Sequence, residues 1–410
     1  MSNNIENLHI KKLTIDNYKS LKNATIELKS GLNIIIGKNG AGKSNLLEFI
    51  EEFSKTPKFD VSIIPFRNTE YYSDFAVTMQ YKKETGIHLF SYSIACLNNL
   101  NSEIADSNED LVYKYVFNKS TDNLNIIEDK TLNATNQEMM SEVLKKEVVL
   151  DNELDDIVVE DVAYIESKLP KDEDSYWLAV PASSFIEDGL IDNMEFSAYN
   201  FFAELSSDFH FLFLPKLTDE MWDDLNLFKE SLIEFVNDYF DNKNLNNILK
   251  ACSPIQKVRV NSGVSVFKKE DNIIIDNLFV EFLIDNDWLP WSYLSDGTKR
   301  LFYIITEFIN VKKGIVLIEE PELGIHPHQF FKLMNFLKEQ LRTKQVIITT
   351  HSPMVLDILS EDELDRITIA EYDKGTKFIK LDEEQISKAK RYMNEVGELS
   401  YYWLHSDMEK

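Results

Sequence analysis

The chain has 410 residues, a hydrophobic share of 44% and a formal net charge of −27. This length predicts two or three subdomains rather than one small core. No apolar run reaches the roughly 18 to 20 residues of a membrane span, and the first residues lack the basic and apolar regions of a signal peptide. Two cysteines, Cys96 and Cys252, exclude a disulfide framework and a cysteine zinc cluster. We therefore expect a cytoplasmic protein without a membrane partner.

Much of the acidic charge lies in residues 103–174, which hold 20 acidic and 7 basic residues. Proteins that hold DNA chiefly through phosphate contacts usually have a basic surface or patch, and the sequence shows neither. Three interpretations of this stretch stay open: a solvated face, a docking surface for a basic partner, or a guard against non-specific nucleic-acid binding.

The first third of the chain has the pattern of β-structure around one helix, which is expected at 44–54. Partial alternation and short apolar runs mark the strands. Glu84–Gly86 is the expected turn between two of them. The predicted strands are Ile10–Asn17, Ala24–Leu28, Leu32–Ile36, Asp74–Lys82, His88–Ala95, Val112–Phe117 and Leu124–Glu128.

The middle of the chain changes to helical spacing, which predicts an insertion of helices. Further helices are expected at 194–207 and over Met221–Leu249. The latter would span at most about 45 Å, which excludes a long coiled-coil arm. The first helical pattern consists of Leu150, Leu154, Ile157, Val158, Val162 and Ile165.

After Lys257 the strand pattern returns, and a helix, strand, helix, strand order follows over 297–350. The predicted fold class is α/β, with a central mostly parallel sheet, an antiparallel β-subdomain and a helical insertion. The expected strands of this part are Val258–Val260, Val264–Phe267, Ile273–Ile275 and Leu278–Ile284.

Residues 37–44 form a complete G-x-x-x-x-G-K-S loop between the apolar run Leu32–Ile36 and the helical segment Asn45–Ile50. Strand, glycine loop and helix in this order are the context of a phosphate-binding loop. Its backbone N–H groups and the helix N-terminus attract phosphates. Lys43 would reach the β- and γ-phosphates, and Ser44 would offer its hydroxyl to Mg²⁺. The sequence thus predicts nucleoside triphosphate binding.

Two further strands end in residues suited to hydrolysis. Glu319 and Glu320 follow an apolar strand, where Glu319 would contact Mg²⁺ through water and Glu320 would act as general base. An ordinary acidic turn is the alternative, which the upstream phosphate loop disfavours. His351 ends the strand Gln345–Thr350 and is expected to sense the γ-phosphate, although a lone histidine there is more often structural.

Ser295 opens a helix that continues through Leu301–Ile305. The residues around it fit a simple N-cap, with Asp296 at the positive end of the helix. They fit a γ-phosphate contact equally well. Only the neighbouring motifs favour the functional interpretation.

Together these motifs resemble ABC-type ATPases of the SMC, RecF and OLD (overcoming-lysogenization-defect) branch. The resemblance covers roughly 1–60 and 255–405. The matching segments are Leu294–Thr298 (signature motif), Glu319–Pro327 (extended Walker B and D-loop), Thr350–Pro353 (switch), Asn17–Lys22 (nucleotide-proximal element) and Gly397–Ser400 with Trp403, similar to the ending of small OLD-like defence ATPases.

The resemblance implies a head that dimerises head-to-tail around ATP and Mg²⁺, with each ATP between one phosphate loop and the signature helix of the mate. The head would comprise 1–135 and 255–410, with the helical insertion at 136–254. The implied partners are a second copy, or a higher oligomer, and an effector protein such as a nuclease. The implied nucleotide-binding residues are Lys19, Ser20, Asn39, Gly40, Ala41, Gly42, Lys43, Ser44, Asn45, Ser295 and Gly297.

Three features depart from the family pattern. Glu319 replaces the more usual Asp, and the glutamine that links Mg²⁺ to the lobe interface is not identifiable, with Gln80 a weak candidate inside a predicted strand. Residues 352–410 form too short a segment for the TOPRIM nuclease domain that follows the switch histidine in OLD nucleases.

Four functions are compatible with these observations. The first is an ATP-driven motor or sensor in a bacterial defence or DNA-maintenance complex with a separate effector. A RecF-like repair ATPase that binds DNA directly is disfavoured by the acidic charge. A transporter subunit is disfavoured by the insertion and by the form of the signature. A scaffold with almost no ATP turnover is the fourth.

Overall fold

The computed structural model describes residues 6–55, 67–68, 71–72, 74–83, 86–96, 111–121, 124–134, 161–165, 224–242, 244–269, 272–276, 280–311 and 314–406. The chain forms two compact units. The first contains residues 1–166, 311–322 and 337–410, and the second contains residues 167–310 and 323–336.

The first unit contains a six-stranded sheet in which all neighbouring strands are parallel except the last pair. Its three central strands are almost entirely buried, as expected for a sheet covered on both faces. In spatial order the strands are β10 (Asp161–Ile165), β16 (Gly314–Glu319), β17 (Lys344–Thr350), β3 (Leu32–Ile36), β18 (Ile367–Tyr372) and β19 (Thr376–Lys380).

A second, antiparallel sheet belongs to the same unit. The buried amide of Gln345 connects it to the parallel sheet, because its Nε2 donates to the Ile10 carbonyl at 2.8 Å and its Oε1 accepts from the Ile10 N–H at 2.9 Å. The strands in spatial order are β2 (Ala24–Glu27), β1 (Glu6–Asp16), β6 (Asp74–Lys83), β7 (Gly86–Cys96), β8 (Leu111–Thr121) and β9 (Leu124–Ala134); β4 (Arg67–Asn68) pairs separately with β5 (Tyr71–Tyr72).

In the described part of the first unit, one helix follows β3 and two follow β19. No helix in the described part of the chain is long and apolar enough to cross a membrane. The helices are α1 (Lys43–Lys55), α6 (Glu383–Glu395) and α7 (Leu399–His405).

The second unit packs helices on small antiparallel sheets. The buried rings of Phe282, Trp291 and Phe302 form a cluster with centroid separations of 5.2 to 5.9 Å. Its elements are α2 (Leu225–Asn242), α3 (Leu245–Cys252), β11 (Lys257–Val260), β12 (Ser265–Lys269), β13 (Asn272–Asp276), β14 (Val280–Ile284), β15 (Asp287–Pro290), α4 (Asp296–Asn310) and the beginning of α5 (Pro327–Glu339).

The predicted fold class and most predicted elements are confirmed, but two helix predictions need correction. Residues 161–165 form β10, which pairs in parallel with β16, so the helical assignment of Val162 and Ile165 is wrong. A short apolar run is compatible with the period of a helix and with that of a strand, and pairing with the neighbouring strand determines which one forms. The segment Met221–Leu249 is not one helix, because Asn244 adopts a left-handed φ of 56° before α3.

Other parts of the helical prediction remain untested. The segment 194–207 and the residues Leu150, Leu154, Ile157 and Val158 lie outside the described residues. The three-part division at residues 135 and 254 stays a prediction.

Candidate active site

The phosphate-binding loop connects β3 to α1 at the carboxyl edge of the parallel sheet. Gly40 and Gly42 have left-handed φ values of 79° and 90°, which favour glycine. At Gly42 a Cβ would come within 1.9 Å of Thr376 Oγ1 and 2.4 Å of Ser20 Oγ. Glycine is therefore required there by both backbone conformation and space.

Lys43 begins α1 and is only 6% exposed. Its Nζ donates to the carbonyls of Gly37 at 2.7 Å and Lys38 at 3.0 Å. The ammonium is thus held inside the loop by backbone oxygens. A phosphate group bound in the loop would be a stronger, charged partner for the same donor.

Ser44 and Glu319 meet across the site, since the Ser44 hydroxyl donates to the Glu319 carboxylate. The Thr349 hydroxyl oxygen is buried and has no hydrogen-bond partner among the described residues. These oxygens surround a cavity of about 290 Å³. The cavity is lined by Asn39, Gly40, Gly42, Lys43, Ser44, Asn45, Glu319, Glu320 and Thr349.

This donor set fits Mg²⁺ with a nucleoside triphosphate. Mg²⁺ is usually held in such sites by one or two protein oxygens while phosphates and waters complete its shell, and Ser44 and Glu319 supply those oxygens. The described residues contain no group of three or more His, Cys, Asp or Glu that could hold a metal alone. A metal here would need phosphate oxygens or water as further ligands.

Glu320 follows β16 in a left-handed conformation, with φ of 46°. Its N–H donates to the Thr349 carbonyl at 2.8 Å. Its Oε1 lies 2.9 Å from Nδ1 of His351, at the end of β17. The two predicted catalytic side chains therefore contact each other directly beside the cavity.

Glu322 is a third carboxyl group at this edge and was not assigned a role from the sequence. Its Oε1 accepts a hydrogen bond from Thr350 Oγ1 and lies 3.9 Å from Nδ1 of His351. Burial raises the pKa of the Glu322 carboxyl above its usual range. The signal in the sequence was its position in the Glu-Glu-Pro-Glu segment.

The turn between β1 and β2 supports the loop. Ser20 Oγ accepts from Asn45 Nδ2 at 2.7 Å and lies 2.7 Å from Thr376 Oγ1. Lys19 forms an ion pair with Glu48 of α1. Thr376 opens β19, and no sequence pattern pointed to it.

Two other predicted residues have different surroundings. Ala41 is buried and lines a neighbouring cavity of about 460 Å³, which residues 369–372 also line. Gln80 lies within β6, paired with β1 and β7, and does not line the 290 Å³ cavity.

Ser295 and Gly297 belong to the second unit. The exposed Ser295 caps α4, because its Oγ accepts the Thr298 N–H at 3.2 Å. Gly297 has no room for a side chain, since a Cβ would lie 2.3 Å from the Gly324 carbonyl oxygen. The N-cap is therefore present, and a phosphate contact of Ser295 stays a prediction.

The fold and this site define a P-loop nucleoside triphosphatase. Residues 9–356 match the family model described as "AAA ATPase domain", so the chain belongs to this family and is an ATPase.

Curated relatives match over shorter segments. The chain is 43% identical over 47 residues to the DNA replication and repair protein RecF of Bifidobacterium longum subsp. infantis, covering 12% of this chain and 11% of that protein. It is 27% identical over 161 residues to the Septu protein PtuA of Bacillus thuringiensis, covering 32% and 41%. The chain therefore spans less than half the length of these relatives.

Among solved structures, an SMC head bound to the C-winged helix domain of ScpA aligns over 93% of this chain and 99% of its own length. The identity is 15% and the TM-score is 0.42.

Proposed function

We propose that this ATPase is a motor or sensor head that closes with a second copy around Mg²⁺-ATP. The observation that carries the proposal is the meeting of Lys43, Ser44, Glu319 and Glu320 around one cavity, with His351 in contact with Glu320. These residues lie at or after the carboxyl ends of three neighbouring parallel strands, β3, β16 and β17. Each has the chemistry needed at one point of phosphoryl transfer.

Each of these residues has its own role in the proposed ATP hydrolysis. Lys43 and the loop N–H groups bind the β- and γ-phosphates. Ser44 and Glu319 would hold Mg²⁺, which when bound neutralises phosphate charge. Glu320 orients the attacking water and accepts its proton, while His351 holds the Glu320 carboxylate by the 2.9 Å contact.

The partner assignments rest on resemblance. Ser295 of a second copy would complete the site, and a separate effector, such as a nuclease, would carry out the output of a bacterial defence or DNA-maintenance complex. The chain ending that resembles small OLD-like defence ATPases supports defence. The similarity to proteins named DNA replication and repair protein RecF supports DNA maintenance.

The test compares two variants with wild type. Lys43→Ala should lose ATP binding, since the site loses its buried cation, whereas the exposed Lys332→Ala should bind normally. Glu320→Gln should bind ATP but hydrolyse it at least about 100-fold more slowly, because general-base catalysis typically contributes 10²–10⁴-fold. Light scattering should then show an ATP-dependent dimer. A Glu320→Gln protein that stays monomeric at saturating ATP would contradict dimer closure.

Direct DNA binding is a second candidate, favoured by the RecF similarity. It predicts ATP hydrolysis stimulated by DNA and binding that weakens steeply with salt. The net charge of −27 argues for the first candidate.

A further inference from the structure

The first unit has a further cavity, also of about 460 Å³, that shares no lining residue with the two cavities beside the phosphate-binding loop. Residues of β1, β2, β6, β7 and β19, the residues that follow β2 and β19, and Asp365 line it. We propose that this cavity binds a small phosphorylated molecule of about nucleotide size. The proposal goes beyond ATP hydrolysis and does not depend on it.

Charge is the first argument. Four lysines, Lys11, Lys12, Lys29 and Lys380, line the cavity, against two carboxylates. This local excess of positive charge stands in a chain with a net charge of −27. Such a concentration of cations in a concave wall attracts an anion.

Two of the four lysines form ion pairs with carboxylates, and the other two ammonium groups are available to an anionic ligand. Lys12 lies 3.8 Å from Glu27, and Lys29 pairs with Asp365. Lys380 donates only to the carbonyl oxygen of Asp365, at 3.3 Å, and neither it nor Lys11 forms an ion pair with any described residue. Both would gain a charged partner from a phosphate.

The partial burial of Lys380 predicts that ligand binding is accompanied by a measurable uptake of protons. Burial, with the neighbouring charge of Lys29, lowers the pKa of the Lys380 ammonium to about 8, and Arg366 acts in the same direction. Asp365 and Glu27 oppose this shift. A bound dianion would raise the pKa again, so binding near pH 8 must be accompanied by proton uptake.

Shape and lining favour a small molecule over a nucleic acid. The volume falls within the range of about 300 to 1,000 Å³ typical of ligand sites. Buried Leu28 and Leu381 supply an apolar wall beside the cations. Nucleic acid is usually held by a basic stripe along a surface, and the acidic chain opposes such binding.

Calorimetry with pyrophosphate and with AMP tests the proposal. Lys43→Ala protein is used so that the ATP site does not contribute; if this variant is less stable than wild type, wild type saturated with ADP replaces it. Both ligands should bind, and adding Lys380→Met should weaken binding at least tenfold. The matched control is Lys377→Met on the same strand, which removes a lysine paired with Asp373 at 2.7 Å and should have no effect.

A second readout separates a direct contact from a structural effect. Titrations at pH 8 in Tris and in HEPES should show proton uptake that disappears in Lys380→Met. The proposal is overturned if neither ligand binds, if Lys380→Met leaves affinity unchanged, or if no proton is taken up. It is also overturned if a 20-nucleotide DNA strand binds more tightly than both small ligands. None of these results would affect the ATPase proposal.

Discussion

Glu320 adopts a strained backbone conformation that contacts with neighbouring residues stabilise. A non-glycine residue in the left-handed region costs on the order of 1 to 3 kcal/mol, and Glu320 has φ of 46°. Its N–H bond to the Thr349 carbonyl and its contact with His351 hold it there. The direction of the predicted general base is thus set by β17 rather than by its own strand.

Glu322 allows a prediction about positioning. Burial raises the pKa of the Glu322 carboxyl, and glutamine offers Thr350 Oγ1 the same side-chain carbonyl acceptor without a charge. Glu322→Gln should keep the turnover number within about threefold of wild type. Glu322→Ala removes this acceptor and leaves the Thr350 hydroxyl only the Ser352 carbonyl at 3.2 Å; the loss of a hydrogen bond of about 1.5 kcal/mol should lower turnover about tenfold.

Steady-state kinetics with a separate measurement of ATP affinity checks this prediction. ATP affinity should stay constant in both variants, since Glu322 does not line the 290 Å³ cavity. Equal losses in the Gln and Ala variants would show that the ionised carboxylate is needed instead.

At this scale the sequence predicted residues that belong to motifs and missed those that act through three-dimensional contacts. The loop glycines, Lys43 and Glu320 follow from spacing. Thr376 lies 356 positions from Ser20, its hydroxyl partner, and is an unremarkable threonine in the sequence. Only strand pairing of β18 and β19 brings it to the loop.

Among the elements, β3, β16 and β17 were predictable because each is a short apolar run followed by polar residues that mark its end. Their order in the sheet was less accessible, since β3 pairs with β17 across more than 300 intervening residues. Strand β10, in contrast, was predicted as part of a helix. Its five residues do not determine a period, and pairing with β16 decided their structure.

Helix α4 contains a buried carboxyl group, that of Glu307, from which we predict how the stability of the protein depends on pH. Burial raises the pKa of the Glu307 carboxyl to about 8. Between pH 4.5 and 8 the unfolded state therefore loses this proton while the folded state keeps it, and stability falls as pH rises. Glu307→Gln removes this penalty, on the order of 4 kcal/mol at pH 8 given about 1.36 kcal/mol per pKa unit between 4.5 and about 8.

Thermal unfolding at two pH values measures this effect. The melting temperature of Glu307→Gln should exceed that of wild type at pH 8, and the difference should shrink towards zero near pH 4.5. The exposed Glu339→Gln serves as a control for the loss of one negative charge. A difference that is the same at both pH values would mean that ionisation of Glu307 is not the cause.

For the whole molecule, the motifs of the resemblance are divided between the two units. The phosphate loop, Glu320 and His351 belong to the first unit, and Ser295 belongs to the second. The sequence predicted the fold class from motif order, and the proposed function raises the question whether each copy supplies Ser295 to the ATP bound by the other. A mixing experiment addresses this question directly.

We expect Lys43→Ala and Ser295→Arg proteins to be inactive separately and to complement each other when mixed. In a head-to-tail dimer of one copy each, one site combines both lesions and the other combines the intact Lys43 with the intact Ser295. Random pairing makes half of the dimers mixed, so about a quarter of the sites are intact in a symmetric two-site dimer. ATP hydrolysis by the equimolar mixture should approach this fraction of wild type.

The outcome depends on where the two residues act. If Lys43 and Ser295 served the same ATP within one chain, every site in the mixture would carry one lesion and activity would stay at the level of the separate variants. Lys43→Ala mixed with Lys43→Ala/Ser295→Arg is the matched control, because no pairing of these copies yields an intact site. Melting temperatures equal to wild type are required of both variants, since Ser295 also caps α4. Complementation in the first mixture alone therefore requires that two copies share each ATP.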